Sequence, residues 1–323
     1  MKALLLESSG PDWRLSLQQV PSPQPGPGEL AIRVRCSSLN PVDYKIARSA
    51  TCRSLPHVLG ADAAGEIEAL GEGVSGWAPG DRVMVLTNVF RWGGFAETLI
   101  ADARAVSRLP PGLSFEQAGG LPCAGLTAWQ AVHQKLHLQP AQTVLISAAG
   151  GGVGRLAVQM ARRAGARVLG TASHQPEQLL TLGVETVIDY RREDVAERVL
   201  ALTEGRGVDA VIDLVSPASA TALAHLLRHN GAIASVVGRP VEGGLPPWGR
   251  AISWHDLAVG FAYQHGDGDN LCDLARAGEL VAGWVAAGLI DPQISRSIDL
   301  ADVPEALRQA ESGSTQGKVV VRI

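Results

Sequence analysis

Three consecutive glycines, at positions 150–152, separate a short apolar run from a helical pattern. The apolar run covers residues 143–149, the helical pattern starts at Val153, and a second apolar run covers residues 167–172. Strand, glycine turn, helix and strand in this order form the unit that binds a dinucleotide. Glycines let the backbone approach a pyrophosphate, and the helix N-terminus offers N–H groups and a positive dipole. The sequence therefore predicts a nucleotide site at this turn.

The end of the second run is where such a site distinguishes one cofactor from another. A site for NAD usually carries Asp or Glu there, about 20 residues after the turn, to accept the ribose hydroxyls. This chain has Ser173 and His174 instead, after Thr171 and Ala172. No carboxylate would repel a phosphate, Ser173 can donate to one, and His174 can carry a partial positive charge. The pattern favours NADPH over NADH; the alternative is that both residues simply form a loop.

Composition limits the class of protein. The chain has 323 residues, of which 46% are hydrophobic and 19% charged, which favours a large core and two domains. A net charge of −4 without a basic cluster argues against nucleic-acid binding. Four scattered cysteines without a CxxC pair suit a reducing compartment. No run is long enough to span a membrane, and the strand-like start at Met1–Leu6 predicts no signal peptide, so we expect a soluble cytoplasmic protein.

The rhythm of the chain changes near its middle. Up to about Val106, short apolar stretches alternate with Pro/Gly turns, which indicates a β-rich region. From Thr143 onward, strands alternate with helices, which predicts a mainly parallel, doubly wound sheet. We expect strands at 143–148, 167–172, 186–189, 208–214 and 231–237, and helices near 153–164, 175–182, 192–203 and 218–228. A helix over 271–289 and a last strand at 318–323 would complete the first region.

Several short motifs together resemble the medium-chain dehydrogenase/reductase superfamily, in its zinc-free quinone oxidoreductase-like branch. The resemblance covers essentially the whole chain and implies an α/β protein with a GroES-like β-barrel catalytic domain and a Rossmann domain, the active site lying between them. The implied bounds are 1–123 and 266–323 for the discontinuous catalytic domain and 124–265 for the dinucleotide-binding domain. The motifs lie at 40–45, 59–65, 71–74, 79–83, 93–97, 121–128, 148–154 and 315–318.

Zinc is the clearest distinction within that superfamily. A catalytic zinc ion needs three protein ligands and one open position. Zinc-dependent relatives carry Cys, His and Cys at three motif positions, which here correspond to Asn40, Ala61 and Cys123. Only Cys123 could bind metal, so we expect no metal site and no zinc.

A site without metal suits an acceptor that is already activated toward hydride, such as a quinone or an α,β-unsaturated carbonyl. The resemblance makes Asn40, Tyr44 and Lys45 the candidates for orienting and polarising the acceptor carbonyl. Tyr44 would donate a hydrogen bond and Lys45 would lie near the developing enolate. The alternatives are that Asn40 only caps the following turn and that Tyr44 and Lys45 only cover a helix surface.

The resemblance also implies the cofactor contacts. Two departures from the family pattern, Glu177 and Gly313, stand where many members carry a basic residue, which leaves Arg191 or His174 to supply the charge. The residues implied at the cofactor are Gly150, Gly151, Gly152, Val153 and Gly154 at the pyrophosphate, Thr127, Phe261 and Tyr263 near the nicotinamide, Val237 and Gly238 after the fifth strand, and Ser173, His174 and Tyr190 at the 2′-phosphate.

The hypothesis that results is an NADPH-dependent reductase of a quinone or enone. A non-catalytic dinucleotide-binding or redox-sensing protein is the main alternative, and a zinc alcohol dehydrogenase is a third. By analogy with relatives we expect a homodimer formed through the last Rossmann strand, near Leu257–Tyr263. Residues 239–256 are expected to form a loop that covers the site. Four aromatic residues in loops are candidates for the substrate pocket: Trp92, Phe95, Trp248 and Trp254.

Overall fold

The computed structural model describes residues 1–49, 54–239, 241, 249–313 and 317–323. Its contacts divide the chain into two compact units. The first unit is Met1–Leu126 together with Val259–Ile323, and the second is Thr127–Ala258.

The described residues up to the first junction form eight strands and three α-helices. The strands are β1 Lys2–Ser8, β2 Arg14–Gln19, β3 Glu29–Ser38, β4 His57–Val58, β5 Asp62–Leu70, β6 Arg82–Leu86, β7 Thr98–Asp102 and β8 Ser107–Arg108. The helices are α1 Pro41–Arg48, α2 Phe115–Gly119 and α3 Pro122–Trp129, the last of which contains the junction.

The second unit alternates strands with helices. Its strands are β9 Thr143–Ile146, β10 Arg167–Thr171, β11 Thr186–Ile188, β12 Val208–Asp213, β13 Leu227–Ser235 and β14 Ser253–Asp256. Its helices are α4 Gly152–Arg163, α5 Pro176–Leu182, α6 Val195–Leu202 and α7 Pro217–Ala224. The chain then returns to the first unit with α8 Ala262–His265, α9 Gly268–Ala286, β15 Ile294–Asp299, α10 Val303–Glu311 and β16 Lys318–Arg322.

The first unit is built on two sheets. One has the order β2-β1-β4, and the other has the order β15-β16-β3-β5-β6-β8, with β7 paired to β3. Strand β3 runs antiparallel to β5 with register shifts, and a Cβ atom on Gly65 would lie 2.0 Å from the Arg33 carbonyl oxygen. This position therefore requires glycine. The last strand, β16, pairs antiparallel with β3 and parallel with β15, so the end of the chain forms part of this sheet.

The second unit contains the expected parallel sheet, which the structure confirms. Its six strands have the order β11-β10-β9-β12-β13-β14, and every pairing is parallel. Strands β9, β10 and β12 are almost fully buried and contain mostly apolar residues, because helices cover both faces of such a sheet. The order reverses between β9 and β12, where doubly wound sheets bind ligands at the carboxyl ends of their strands.

Two predictions for this unit were wrong in detail. The helix expected over 218–228 ends at Ala224, and β13 begins at Leu227 and not at 231. The covering loop expected over 239–256 ends in a sixth strand, β14, paired along its length with β13. Within the described residues, no helix combines the length and apolar character needed to cross a bilayer.

Candidate cofactor site and buried polar cluster

The glycine turn connects β9 to α4 and is held by close backbone contacts. Ala148 adopts a positive φ of 48°, and its carbonyl oxygen accepts a hydrogen bond from the Gly151 N–H at 3.0 Å. A Cβ atom on Gly154 would lie 2.3 Å from that same oxygen, so the helix can pack on the turn only with glycine there. Gly151, Gly152 and Val153 are half-buried. The first N–H groups of a helix have no partner inside it, so this turn can bind an anion.

The residues predicted to read the ribose meet at the ends of two neighbouring strands. Ser173 follows β10 and Tyr190 follows β11, and the Ser173 hydroxyl lies 3.1 Å from the Tyr190 hydroxyl. The Arg191 guanidinium lies 6.0 Å from the centre of the Tyr190 ring. His174 and Glu177 are exposed nearby along the chain. Two hydroxyl groups and the Arg191 guanidinium therefore lie at this end of the sheet, together with the Asp189 carboxylate, which pairs with Arg192.

Asp213 lies at the candidate cofactor site and was not predicted from the sequence. Its Oδ1 accepts hydrogen bonds from the hydroxyls of Ser147, at 2.9 Å, and Ser219, at 2.6 Å. Its Oδ2 accepts from the backbone N–H groups of Val215 and Ser216. The fully buried carboxylate thus connects the end of β9, where the glycine turn begins, to the loop after β12. The available signal was an acidic residue at the end of β12, directly after the apolar run Ala210–Ile212.

Arg155 is a second residue without a role in the sequence analysis. It lies one residue after the glycine motif and is only 5% exposed. Its Nε donates to the Gly150 carbonyl oxygen at 2.9 Å, and its Nη2 donates to the Gln175 side chain at 2.7 Å. Nη1 and Nη2 also donate to the Gln178 side-chain oxygen, each at 3.1 Å. Burial lowers the pKa of this guanidinium, although an arginine stays charged in proteins.

The other predicted cofactor residues are distributed over both units. Val237 and Gly238 follow β13, where the Ser235 hydroxyl donates to the Gly238 carbonyl oxygen at 2.6 Å. Thr127 is buried in α3.

Phe261 and Tyr263 belong to the first unit, so the second junction precedes Val259, whereas the sequence analysis placed it after His265. The Tyr263 hydroxyl donates to the Leu86 carbonyl oxygen at 2.6 Å, which fixes the ring in the first unit, where it lines a cavity of about 240 Å³. Phe261 is 52% exposed. Residues 257–263 contain a short 3-10 helix and the start of α8, so the last Rossmann strand is β14 and not this segment.

The first unit contains a buried polar cluster around Asn40. The Asn40 Oδ1 accepts a hydrogen bond from the Lys318 ammonium at 2.6 Å, and its Nδ2 donates to Asp62 at 2.7 Å and to the Ser38 carbonyl oxygen at 3.3 Å. Lys318 also lies 3.3 Å from the Asp62 carboxylate, and the Ser38 hydroxyl donates to that carboxylate. Lys318 is 3% exposed and Asp62 fully buried. The Asn40 amide is therefore oriented by a buried ion pair.

Asp43, in the first turn of α1, organises the backbone beside this cluster. Its Oδ2 accepts from the Asn40 N–H at 2.8 Å, and its Oδ1 accepts from the N–H groups of Gly60 and Ala61, each at 3.1 Å. Burial raises the pKa of the Asp43 carboxyl to about 7, against the effect of these hydrogen bonds. Asp43 thus attaches the turn before β5 to the start of α1.

The three positions that bind zinc in metal-dependent relatives lie in this region. Asn40 presents an amide already bonded to Lys318, and Ala61 has no ligand atom. Cys123 supplies the one thiol at these three positions, and a catalytic zinc ion needs three protein ligands. The donors at these positions do not fit a zinc ion. Throughout the part of the chain that the structure describes, no group of three His, Cys, Asp or Glu side chains could hold a metal.

Tyr44 and Lys45, the other predicted catalytic residues, lie in the same helix, α1. Lys45 is exposed and Tyr44 half-buried. Burial, assisted by the negative charge of Glu311 in α10, raises the pKa of the Tyr44 hydroxyl, so it remains protonated and able to donate.

The aromatic residues predicted to line the substrate pocket differ in their burial and position. Phe95 is fully buried in the first unit's core, so it cannot line an open pocket. Trp254 lies in β14 and packs against the core of the second unit. Trp92 is 36% exposed. Trp248 lies outside the described residues.

Comparison with known proteins agrees with this architecture. Residues 26–111 match the alcohol dehydrogenase GroES-like domain family, and residues 182–321 match the family described as zinc-binding dehydrogenase. A quinone oxidoreductase structure from Coxiella burnetii is 30% identical with a TM-score of 0.83, covering 100% of this chain and 99% of that one. The Escherichia coli quinone oxidoreductase, solved with NADPH, is 26% identical with a TM-score of 0.89 and complete coverage of both chains (100% and 100%).

Curated relatives match over different lengths. The phthioceranic/hydroxyphthioceranic acid synthase of Mycobacterium tuberculosis is 34% identical over 308 residues, which are 93% of this chain and 14% of the synthase. A chloroplastic quinone-oxidoreductase of Triphysaria versicolor is 37% identical over 209 residues, 62% of this chain and 63% of that protein. The chain thus covers less than two thirds of either relative. With the matches above, the chain belongs to the medium-chain dehydrogenase/reductase superfamily of oxidoreductases, and the resemblance found in the sequence is confirmed.

Proposed function

We propose that the protein is an NADPH-dependent reductase that transfers hydride to a quinone or an α,β-unsaturated carbonyl without zinc. The observation that carries this proposal is the 3.1 Å approach of the Ser173 and Tyr190 hydroxyls beside the glycine turn. Ser173 follows the second strand where an NAD site usually carries a carboxylate, and together with the Tyr190 hydroxyl it can donate to a 2′-phosphate. The Asp189 carboxylate beside Tyr190 is paired with Arg192. The NADPH in the similar Escherichia coli enzyme supports the same choice.

The residues present fit a nicotinamide dinucleotide. The backbone of Gly151–Val153 would hold the pyrophosphate, and Ser173, Tyr190 and Arg191 would hold the adenosine phosphate. Asp213 fixes the backbone around this binding surface. When bound, the nicotinamide supplies a hydride equivalent to the acceptor.

Tyr44 and Lys45 are the candidate residues toward the acceptor. Hydride addition to the β-carbon of an enone places negative charge on the carbonyl oxygen, and a proton must then be added to give the reduced product. A protonated Tyr44 can donate to this oxygen, and the Lys45 ammonium can stabilise its charge. Asn40, whose amide hydrogens are bonded to Ser38 and Asp62, would shape this surface.

We propose that the protein works without zinc because of the side chains at the three positions that bind zinc in metal-dependent relatives. Lys318 places a positive charge 2.6 Å from the Asn40 oxygen, and Cys123 is the single sulfur at the three positions. A second cation there would be repelled. Metal analysis of the purified protein tests this point: stoichiometric zinc that withstands dialysis against a chelator would contradict it.

Titration of the intrinsic protein fluorescence with NADPH and NADH tests the cofactor, and consumption of NADPH with a panel of quinones and enones tests the reaction. Tighter binding of NADPH together with turnover of at least one acceptor class is the expected result. Binding without turnover on any acceptor would instead support the non-catalytic, redox-sensing alternative. The engagement of the Asn40 amide by its neighbours is the observation that keeps this alternative open.

We propose a homodimer that forms through strand β14, replacing the segment near Leu257–Tyr263. β14 is the last strand of the parallel sheet, and among the described residues it pairs with β13 alone. An edge strand offers unpaired backbone groups to a second copy across a two-fold axis. Sizing chromatography over a dilution series should give twice the chain mass; a monomer at every concentration would reject the proposal.

A further inference from the structure

We propose that Arg155 sets the preference of the site for a cofactor with a 2′-phosphate. This inference rests on the proposed NADPH-dependent function and names a further residue responsible for it. The family resemblance implies a cation in many members at two positions that hold Glu177 and Gly313 in this chain. Arg155 carries a positive charge in the same part of the site, but it is buried and lies in α4, the helix that follows the glycine turn.

The position of the guanidinium connects both phosphate-binding segments. Its Nε holds the Gly150 carbonyl oxygen in the glycine turn, at 2.9 Å. Its Nη2 holds the side chain of Gln175 at 2.7 Å, two residues after Ser173 in the loop that follows β10. Gln175 has a positive φ of 51°, a conformation that side chains rarely adopt and that a fixed partner helps to maintain. One side chain therefore sets the separation between the turn and the loop.

The surroundings of Arg155 make its charge effective. The residue is 5% exposed, and its bonds described above go to neutral carbonyl and amide oxygens. Away from bulk water a charge acts over a longer range, because the surrounding medium screens it less. A phosphate bound at Ser173 and Tyr190 would feel this field, whereas the ribose hydroxyl of NADH would gain little from it. The predicted effect is on the choice between the two cofactors.

Three variants test the inference by binding alone. Arg155→Gln removes the charge and keeps some hydrogen bonding; we expect the NADPH dissociation constant to rise about tenfold, the change expected from losing one charge-assisted contribution. Arg155→Lys keeps the charge and should retain most of the preference. Gln178→Glu places a carboxylate beside the unchanged guanidinium, at the exposed surface of α5, and should reduce the preference even if Arg155→Gln folds poorly.

Arg163→Gln is the matched control, because it removes one charge from the exposed far end of the same helix. Titrations with NADPH, NADH, adenosine 2′,5′-bisphosphate and AMP at two ionic strengths give the readouts. Selective loss for the two 2′-phosphorylated ligands in Arg155→Gln and Gln178→Glu supports the inference. Equal weakening of all four ligands would mean that Arg155 only holds the turn and the loop together, which would contradict the inference. Unchanged binding would contradict it as well.

The inference and the proposed function fail in different ways. If the wild-type protein prefers NADPH and the variants keep that preference, Arg155 is not the determinant but the cofactor assignment stands. If the wild-type protein shows no preference between NADPH and NADH, both the NADPH assignment and the role of Arg155 are wrong.

Discussion

Lys318 and Asn40 are 278 positions apart in the chain, yet the Lys318 ammonium donates to the Asn40 side-chain oxygen at 2.6 Å in the interior of the first unit. Lys318 lies at the start of β16 and Asn40 directly before α1. The contact exists because β16 pairs with β3, whose carboxyl end leads into Asn40. The same ammonium balances the charge of Asp62.

Lys318→Met is expected to destabilise the protein by about 3–5 kcal/mol, because it leaves the Asp62 carboxylate buried without its cation. Urea unfolding followed by fluorescence gives the free energy of unfolding. Arg35→Met is the matched control: it breaks the exposed ion pair with Glu66 and should cost less than about 1 kcal/mol. Similar losses for the two variants would mean that the buried pair contributes no more than a surface one.

Gly154→Ala and Gly150→Ala separate folding from cofactor binding at the glycine turn. The first places a Cβ atom 2.3 Å from the Ala148 oxygen and should cost about 1–3 kcal/mol of stability. A Cβ atom on Gly150 meets no atom within 4 Å, so that variant should fold normally. If the cofactor approaches this turn, Gly150→Ala should nevertheless bind NADPH and NADH several-fold more weakly; wild-type affinity would place the pyrophosphate elsewhere.

Asp213→Ala should weaken both cofactors equally. It removes the acceptor for two serine hydroxyls and two backbone N–H groups, and each buried group left unsatisfied costs about 1–3 kcal/mol. The turn after β9 and the loop after β12 lose their connection, so the melting temperature and both affinities should fall. Asp273→Ala, which breaks an exposed pair with Arg276 in α9, serves as the control. A change in the ratio of the two affinities would contradict a purely positioning role.

Asp43→Asn is expected to change how stability depends on pH. Burial raises the pKa of Asp43 to about 7, whereas an unfolded Asp titrates near about 4. The folded state therefore binds this proton more tightly, so the stability from this group is complete below about pH 4 and lost as the pH rises through about 7. The variant cannot titrate there.

The free energy of unfolding of the wild type minus that of Asp43→Asn should consequently fall from about pH 4 to about pH 7 and then stay constant. Urea unfolding across this range measures it. A difference that grows with pH would mean that the three backbone hydrogen bonds to Asp43 outweigh its burial.

The parallel sheet was predictable because its central strands are short apolar runs bounded by glycine. Strand β14, by contrast, consists of Ser253–Asp256, four residues of mixed polarity next to a Gly/Pro-rich stretch, and its pairing with β13 is visible only in three dimensions. The end of α7 was misplaced because Leu226 and Leu227 continue the apolar helical spacing, although Leu227 already belongs to β13.

Several residues of the candidate site could be predicted from short motifs, which composition alone does not locate. Ser173 was predicted from its place after the second strand and Tyr190 from the resemblance, whereas the approach of their hydroxyls to 3.1 Å is visible only in the folded chain. Arg155 and Asp213 were missed because their partners are backbone groups and side chains brought together only by folding. Arg155 is one charged residue on the mostly apolar buried face of α4. Hydrophobic periodicity predicts the helix despite this exception, but it does not indicate what the charged residue does.

The position of β16 also constrains the order in which the chain can fold during synthesis. Residues 127–258 are contiguous, so the second unit can form once they have left the ribosome. The large sheet of the first unit has β16 between β15 and β3, and its ion pair with Asp62 needs Lys318. The end of β3, at residues 36–38, must therefore wait for its β16 partner until residues 318–322 have been translated, and until then this edge of the sheet offers unpaired backbone groups to other strands.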